Sequence, residues 1–250
     1  HGGNSIHGYD WPMLARGLDW IAVPNHPLLI EKLRSYRAPG AFSGVYVDHP
    51  AAPESEAQAR WRAWHTILHQ LPAHWCATPY GTAEDAAPAA ALLPDGRAAP
   101  WFAALTETTG ELERGLGALL LGAAPARHDV AIYESRTSRH LNDIDEVAGA
   151  ASRPAEASAI AMLERLGLQY DFVDRTRLLG GELNAYRAVV LPQVRALNDE
   201  EAAGLRAYVE AGGYVLADGA PGTHDEHGIP RPEPVLEAGA RVVLLEGDGR

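Results

Sequence analysis

The sequence predicts an α/β protein: a doubly wound, mainly parallel sheet with right-handed crossovers and helices on both faces. Three observations predict it. Short apolar runs alternate with amphipathic stretches of helical period along most of the chain. Several runs stop at Pro, Asn or Gly, as strands buried in a parallel sheet do where they meet a loop. The 250 residues, 46% hydrophobic and 22% charged, suffice for one large or two medium domains with a buried core, which excludes a disordered chain.

In the first half, residues 17–24 form an apolar run closed by Pro24 and Asn25, read as a strand. Residues 26–37 carry Leu29, Ile30 and Leu33 at helical spacing and stop at Ala38-Pro39-Gly40. A strand is expected at 43–47, a helix over 54–70 and a short strand at 74–78, giving β-α-β-α-β. On that helix Ala57, Trp61, Trp64, His65 and Leu68 share a stripe, and Trp61 is expected in the core. Residues 82–100, rich in Ala, Pro, Gly and Asp, read as an extended surface loop. A long helix follows over 101–121, with Phe102, Leu105, Leu112, Leu116 and Leu119 in period and Gly122 and Pro125 ending it. The small, Pro-containing stretch 123–128 is the expected domain boundary, dividing the chain into 1–125 and 126–250.

In the second half, strands are expected at 130–133, 170–173, 188–191 and 214–217. A helix over 156–166 turns Ile160, Leu163 and Leu166 inward and stops at Gly167. Asn198 with Glu201 three residues on has the form of a capping box, opening a helix through Leu205, Tyr208 and Val209 that ends at Gly212-Gly213. The two halves share no evident repeat.

With Lys+Arg 21 against Asp+Glu 33, the net charge of −12 and the lack of a basic run oppose nucleic-acid binding. No apolar run reaches the roughly 20 residues of a membrane helix, so no membrane partner is expected. The lack of a membrane run reads as a soluble protein; the compartment stays open, since the single Cys76 does not exclude export, with a cytoplasmic, bacterial-type protein as the expectation. The chain opens on His1-Gly2-Gly3, without Met, and sequence of ordered character begins at once, which points to a piece of a longer polypeptide.

The series Leu166-Gly-Leu-Gln-Tyr-Asp-Phe-Val-Asp174, Tyr186-Arg-Ala-Val-Val-Leu-Pro192, Leu197-Asn-Asp-Glu-Glu201, Leu205-Arg-Ala-Tyr-Val-Glu-Ala-Gly-Gly213, Ala217-Asp-Gly219 and Asp225-Glu-His-Gly228 resembles the trimerisation domain of family 42 glycoside hydrolases, the β-galactosidase type. The resemblance runs from about Asp129 to Gly228 and implies a class I glutamine amidotransferase-like (flavodoxin-like) doubly wound domain. No Cys lies in this half, so amidotransferase chemistry is not expected. The first half resembles, more loosely, the last part of the same family's catalytic (β/α)8 barrel, in Leu18-Asp-Trp-Ile-Ala-Val-Pro-Asn25, Leu33-Arg-Ser35 with Pro39, the run to Asp48, Trp64-His65 and Trp75, in the order of strands six to eight. On that resemblance the fold is a C-terminal fragment of a (β/α)8 barrel followed by the amidotransferase-like domain, and the general-acid Glu lies upstream of this chain.

Retaining glycosidases need two carboxyl groups about 5–5.5 Å apart, at the C-terminal ends of barrel strands. The resemblance puts the nucleophilic Glu at the end of strand seven, where the nearest carboxylate here is Asp48 in Val45-Tyr-Val-Asp-His49. Asp is one methylene shorter, so either Asp48 serves with a shifted backbone or the site is altered or dead; the bland alternative is a cap on the loop or following helix. Trp75, near a strand end, is a candidate sugar platform, with Asn25 and His65 as further substrate-binding candidates. His65 and His69 stand at a zinc-compatible i, i+4 spacing but lack a third ligand, so no metal is expected. His224-Asp-Glu-His227 is a possible ligand cluster that the resemblance makes a structural loop, and Asp218-Gly219 has too few glycines near it for a phosphate cradle.

The resemblance implies retaining hydrolysis of terminal β-galactosides or related glycosides by the full-length parent, with no cofactor, a carbohydrate substrate and a homotrimeric assembly; this piece alone is expected to be inactive. The alternative from another class is a catalytically inactive carbohydrate-binding or oligomerisation module. A metal-dependent hydrolase is a third, weaker reading.

Overall fold

The computed structural model describes residues 10–46, 55–76, 79–80, 90–124, 126 and 129–245, with side chains left out over 146–154. The chain divides into two compact units, one of Met13–Pro125 and one of Ala126–Arg250 joined by residues 10–12. No helix among the described residues is long and apolar enough to cross a membrane.

After helix α1 (Trp11–Gly17), the first unit runs β1 (Trp20–Pro24), α2 (Pro27–Tyr36), β2 (Phe42–Tyr46), α3 (Glu56–Leu68) and β3 (Ala73–Trp75). The three strands form one parallel sheet in the order β1-β2-β3. Pro27 at the first helical position starts α2, where a missing N–H costs nothing, and Leu29, Ile30 and Leu33 are buried. Val23 and Val45 lie fully buried on the sheet. Burying each such side chain stabilises the fold by about 1.5–3 kcal/mol. Arg37, just past α2, donates from one NH1 to Ser43 Oγ at 2.8 Å and to the Gln70 carbonyl at 2.7 Å, tying the turn after α2 to β2 and to the end of α3.

Helix α3 begins with a capping box: Ser55 Oγ accepts from the Gln58 N–H, and Gln58 Oε1 accepts from the Ser55 N–H at 3.0 Å. Its Ala59, Ala63 and Ile67 pack with Trp101, Ala104, Leu105 and Leu112. Those residues belong to α4 (Pro100–Glu111) and the π-helical segment after it (Leu112–Leu116), which leads into α5 (Gly117–Gly122). The expected single helix over 101–121 is therefore interrupted. Gly115 has φ 135, outside the helical region, and the apolar period breaks there, leaving Leu116 and Leu119 exposed. The expected loop before α4 also needs correction over its described part. Leu92 bridges Ala98 in antiparallel fashion around Gly96, and Ala91 and Ala99 enter the core beside Trp101. Trp61, expected in the core, is 56% exposed on α3, because the small side chains Ala59 and Ala63 form the packed face.

The second unit runs β4 (Val130–Glu134), α6 (Arg136–Ile144), α7 (Glu146–Arg165), β5 (Tyr170–Asp174), α8 (Arg175–Leu179), a 3-10 turn (Glu182–Ala185), β6 (Ala188–Pro192), α9 (Asp199–Glu210), β7 (Tyr214–Asp218) and β8 (Val242–Leu245). All five strands are parallel, in the order β5-β4-β6-β7-β8. The four expected strands are present with bounds one residue longer, whereas α6, α8 and β8 were not expected and α7 begins ten residues before the expected start. On one face Ala131, Tyr133, Val189, Leu191, Val215 and Ala217 meet Leu178, Leu183, Leu205 and Tyr208 in a single core. By strand alternation Ile132, Phe172 and Val190 turn to the opposite face, where α7 buries Ala159, Ile160 and Leu163.

The capping box at α9 forms as expected, and one of its members has a second role. Glu201 Oε2 accepts from the Asn198 N–H at 2.9 Å, and Asn198 Oδ1 accepts from the Glu201 N–H at 2.8 Å. Glu201, 2% exposed, also accepts through Oε1 from the Tyr133 hydroxyl on β4 at 2.5 Å. Burial first, then the charge of Glu201, pushes the Tyr133 phenol well above its ordinary pKa, so it stays a donor. We expect Asn198→Ala to lower stability by about 0.5–2 kcal/mol, measured as a shift in the denaturant midpoint, with Asn198→Asp losing much less.

Candidate active site

The parallel register of the first sheet sets Pro24, Tyr46 and Trp75 in one row at its C-terminal edge. Asn25, partly buried, follows directly on that edge. Asp48 and its neighbours 47 and 49–50 lie outside the described residues. The edge is thus formed by three strand ends that carry Asn25, the run toward Asp48, and Trp75.

The two faces of this sheet differ in chemistry. His74 donates to or accepts from Thr66 Oγ1 of α3 at 3.1 Å, so its side chain points to the helices. Burial, then the charge of Arg62, lowers its pKa to about 4, and it stays neutral at physiological pH. Trp75, the next residue, points to the other face. There its ring meets Trp20 and Phe42 edge-on, with centroids 5.0 and 5.6 Å away. Trp20 is 55% and Phe42 49% exposed, so this face is an aromatic surface open to solvent. Gly44 lies in the middle strand beneath the Trp75 ring, where a Cβ would collide with the ring and with the Ala73 carbonyl. The ring therefore needs glycine at this position. Gly44→Ala should destabilise the first unit by about 1–3 kcal/mol or more, since the Ala73 obstacle is backbone and no rotamer change relieves it. A thermal midpoint equal to wild type would show that Trp75 does not sit over Gly44.

His65 lies in the helix layer, on the side opposite the Trp75 ring. Its imidazole stacks between Trp61 and His69, with centroids 4.5 and 4.2 Å away. The structure therefore does not bring His65 and Trp75 together, and one small sugar could not touch both. His69 Nδ1 faces the His65 carbonyl at 2.6 Å, and its Nε2 faces Glu31 Oε1 of α2 at 2.7 Å. Both neighbours are acceptors, so the site favours the imidazolium form of His69, with a proton on each ring nitrogen. Burial alone would lower its pKa, but the Glu31 hydrogen bond and charge outweigh it and the pKa is raised. Glu31, 1% exposed, also accepts from Arg34 Nε and NH2 at 3.0 and 2.9 Å. Burial, then the positive charge of His69, lowers the His65 pKa to about 4. Of the i, i+4 histidines, His69 alone thus joins the ion-pair cluster around buried Glu31. With both its nitrogens facing acceptors, His69 offers no lone pair to a metal ion.

In the second unit the C-terminal ends of β4 and β5 border a cavity of about 170 Å³ with Asp10, Glu134, Asp174, Glu201 and three arginines on its wall. Each arginine has a carboxylate partner: Arg136 with Asp10 at 2.5 Å, Arg139 with Glu134, and Arg175 with Glu200, which lies off the cavity wall. The remaining edge carries Pro192 and Asp218, and the only cysteine of the sequence, Cys76, belongs to the other unit. In the loop 224–228, Asp225 Oδ1 accepts from the His227 and Ile229 N–H groups at 2.9 and 2.8 Å, which holds its carboxyl below the usual range, the Ile229 bond most of all. His224 Nδ1 lies 2.9 Å from Thr223 Oγ1. The carboxylate of Asp225 closes the loop on its own backbone.

Both units are parallel α/β folds, and one face of the first sheet is aromatic. Residues 160–235 match the family described as the β-galactosidase trimerisation domain. The β-galactosidase from the psychrophilic Marinomonas ef1 is similar over 90% of this chain and 40% of its own, at 19% identity and a TM-score of 0.62. A β-galactosidase from Bacillus circulans sp. alkalophilus is similar over 88% of this chain and 35% of its own, at 15% identity and a TM-score of 0.64. The exo-carrageenase of glycoside hydrolase family 42 from Bacteroides ovatus is similar over 88% and 30%, at 15% identity and a TM-score of 0.56. The chain thus spans 30 to 40% of the length of these solved structures, and at such identities the likeness is one of fold. No curated protein sequence matches. The resemblance to family 42 drawn from the motifs of the second half holds.

Proposed function

We propose that this chain is the C-terminal part of a family-42-like glycoside hydrolase: the last three units of a (β/α)8 barrel over 1–125, followed by a flavodoxin-like trimerisation domain over 126–250. The observation that carries this reading is the trimerisation-domain match at 160–235 within a fold likeness to β-galactosidases that extends over both units. Two features of the structure support it. The sheet order β5-β4-β6-β7-β8 is the flavodoxin-like 2-1-3-4-5 order. The first sheet leaves Trp20 and Phe42 exposed on one face, as three strands of an eight-stranded barrel would before the others fill its interior.

The reaction of the full-length parent is retaining hydrolysis of a terminal β-galactoside or related glycoside, and needs no cofactor. Asp48, just beyond β2, is the nucleophile; the general acid comes from an earlier strand. Trp75 offers its ring to the apolar face of the sugar and Asn25 a hydrogen bond to a hydroxyl. His65, on the far side of the sheet, keeps a structural role. The second reading, a carbohydrate-binding or assembly module without catalysis, is favoured by one observation: an Asp stands where the family's pattern has Glu. Assay of the full-length protein on p-nitrophenyl β-galactoside separates the two, because turnover abolished by a mechanism-based fluoroglycoside supports a retaining enzyme and absence of turnover supports the module.

The assembly is a homotrimer. On edge strand β8, Val243 and Leu245 are 53% and 45% exposed on the face opposite the core, an apolar strip available to a heterologous contact that closes after three copies. Light scattering of the full-length parent should give three times the chain mass, and a monomer at micromolar concentration would overturn this assignment.

A further inference from the structure

The N-terminal edge of the second sheet opens on a cavity of about 480 Å³, at the opposite end from the strand ends that border the smaller pocket. Ala188 pairs with Tyr214 and Val215 with Val242, so Arg187 and Arg241 enter the edge on the two strands flanking β7, with Gly212-Gly213 between them. With parallel strands about 4.8 Å apart, the two arginine backbones stand about 10 Å apart, within reach of a common small ligand. The floor between them carries no side chain. A Cβ on Gly213 would collide with the Tyr208 ring. Arg241 is held in place: its NH1 donates to the Gly212 carbonyl at 2.5 Å, and its guanidinium lies 5.0 Å from the centre of the Tyr214 ring.

Charge sets this cavity apart. No acidic residue is among those that line it. Among the described residues neither Arg187 nor Arg241 pairs with a carboxylate, whereas Arg136, Arg139, Arg175, Arg177, Arg195 and Arg231 of the same unit all do. In a chain of net charge −12, two guanidinium groups without acidic partners around a concave surface concentrate positive potential. The guanidinium fork matches the geometry of a carboxylate or sulfate oxygen pair. The volume lies within the range of roughly 300–1,000 Å³ that small-molecule sites occupy.

We propose that this cavity binds a small oxyanion ligand, a carboxylate or sulfate group, between Arg187 and Arg241. The site is independent of the hydrolase reading and of Asp48. The test is a titration of the ¹⁵N-labelled chain followed by amide chemical shifts, with sodium sulfate, D-galacturonate and neutral D-galactose in turn, at ionic strength held constant with sodium chloride. Sulfate and galacturonate should shift the amides of Gly212, Gly213 and Tyr214 to saturation, while galactose should not. Arg187 is exposed and its side chain bonds to no described residue, so Arg187→Gln should keep the fold, checked by circular dichroism, and weaken both anions by about tenfold or more, the loss of one charge-assisted hydrogen bond. Arg241→Lys keeps the charge but removes the fork, and should weaken binding to an intermediate degree. Galacturonate tighter than sulfate assigns the site to an acidic sugar or other organic acid; equal affinity assigns it to the bare oxyanion. Shifts that do not saturate, galactose binding as well as galacturonate, or saturable binding unchanged in folded Arg187→Gln would overturn the proposal.

Discussion

On the proposed retaining mechanism, Asp48→Ala in the full-length protein is expected to lower kcat by several orders of magnitude while KM changes little, because the covalent route would disappear with the attacking carboxylate. Asp48→Glu distinguishes reach from identity. One extra methylene moves the carboxylate forward by over an ångström, roughly the displacement to which near-attack geometry is sensitive, so this variant is expected to raise turnover. A residue that merely caps a loop or helix behaves otherwise. Its removal would cost about 0.5–2 kcal/mol of stability and leave the turnover of folded enzyme nearly intact. Steady-state kinetics and the unfolding midpoint measured on the same two variants separate these cases, and an active Asp48→Ala enzyme would retire the nucleophile.

The largest effect on stability is expected at Glu31. Replacing it by Gln leaves the His69 imidazolium and the Arg34 guanidinium without their shared carboxylate in a buried position, and breaking a buried pair in this way costs about 3–5 kcal/mol. The cluster also has a defined pH window. Burial alone would raise the Glu31 carboxyl, but the hydrogen bond from His69 and the charge of Arg34 hold it below the ordinary 4.5. Its contribution is therefore present above that value and lost as the pH falls through the lowered pKa. The His69 pKa is raised, so its contribution is fully present below 6.5 and lost as the pH rises through the raised value. The pair supports the first unit best between these limits, from about 4.5 to 6.5. Chemical denaturation of wild type and Glu31→Gln across pH 4 to 9 should show the difference between them largest inside that window and shrinking on both sides. A difference independent of pH would show that His69 and Glu31 are not paired.

Strands were legible where the chain is apolar and bounded by breakers. β4, β6 and β7 each carry a near-continuous apolar run, because a parallel sheet covered on both faces leaves few positions for polar residues, and edge strand β5 admits Asp171 within it. Helix α6 escaped for the converse reason. Its inward positions are Ser138 and Asn142, both buried, with Ser138 bonded to the Ala196 backbone in both directions at 2.8 Å and Asn142 donating to the Gln193 carbonyl at 3.4 Å. A helix that docks by hydrogen bonds has no hydrophobic period to find. β8, four residues long, lies beyond an irregular stretch and announces itself with little. Of the candidate site, the strand-end position of Asn25 could be read from the apolar run before it. The expected strand 74–78 set Trp75 near its start, whereas β3 in fact ends at Trp75, because Leu71-Pro72 before it gives no apolar run to fix the bounds. The fate of His65 and His69 could not be read. Their spacing shows one helix face, but the partner that decides their chemistry, Glu31, comes from a different helix and only the folded unit brings it within 2.7 Å.

Glu201 joins two scales of order in one carboxylate. One oxygen closes a loop of three residues with Asn198, a contact the chain can make as soon as α9 begins to coil. The other waits for Tyr133, 68 residues earlier, and is satisfied only after β4 has entered the sheet. Until then a charged oxygen destined for the interior stays in water, and the first turn of α9 has no reason to leave it. The cap of α9 and the seat of β4 in the sheet therefore share one carboxylate, so a change at Glu201 reaches both a local turn and a contact between distant parts of the chain.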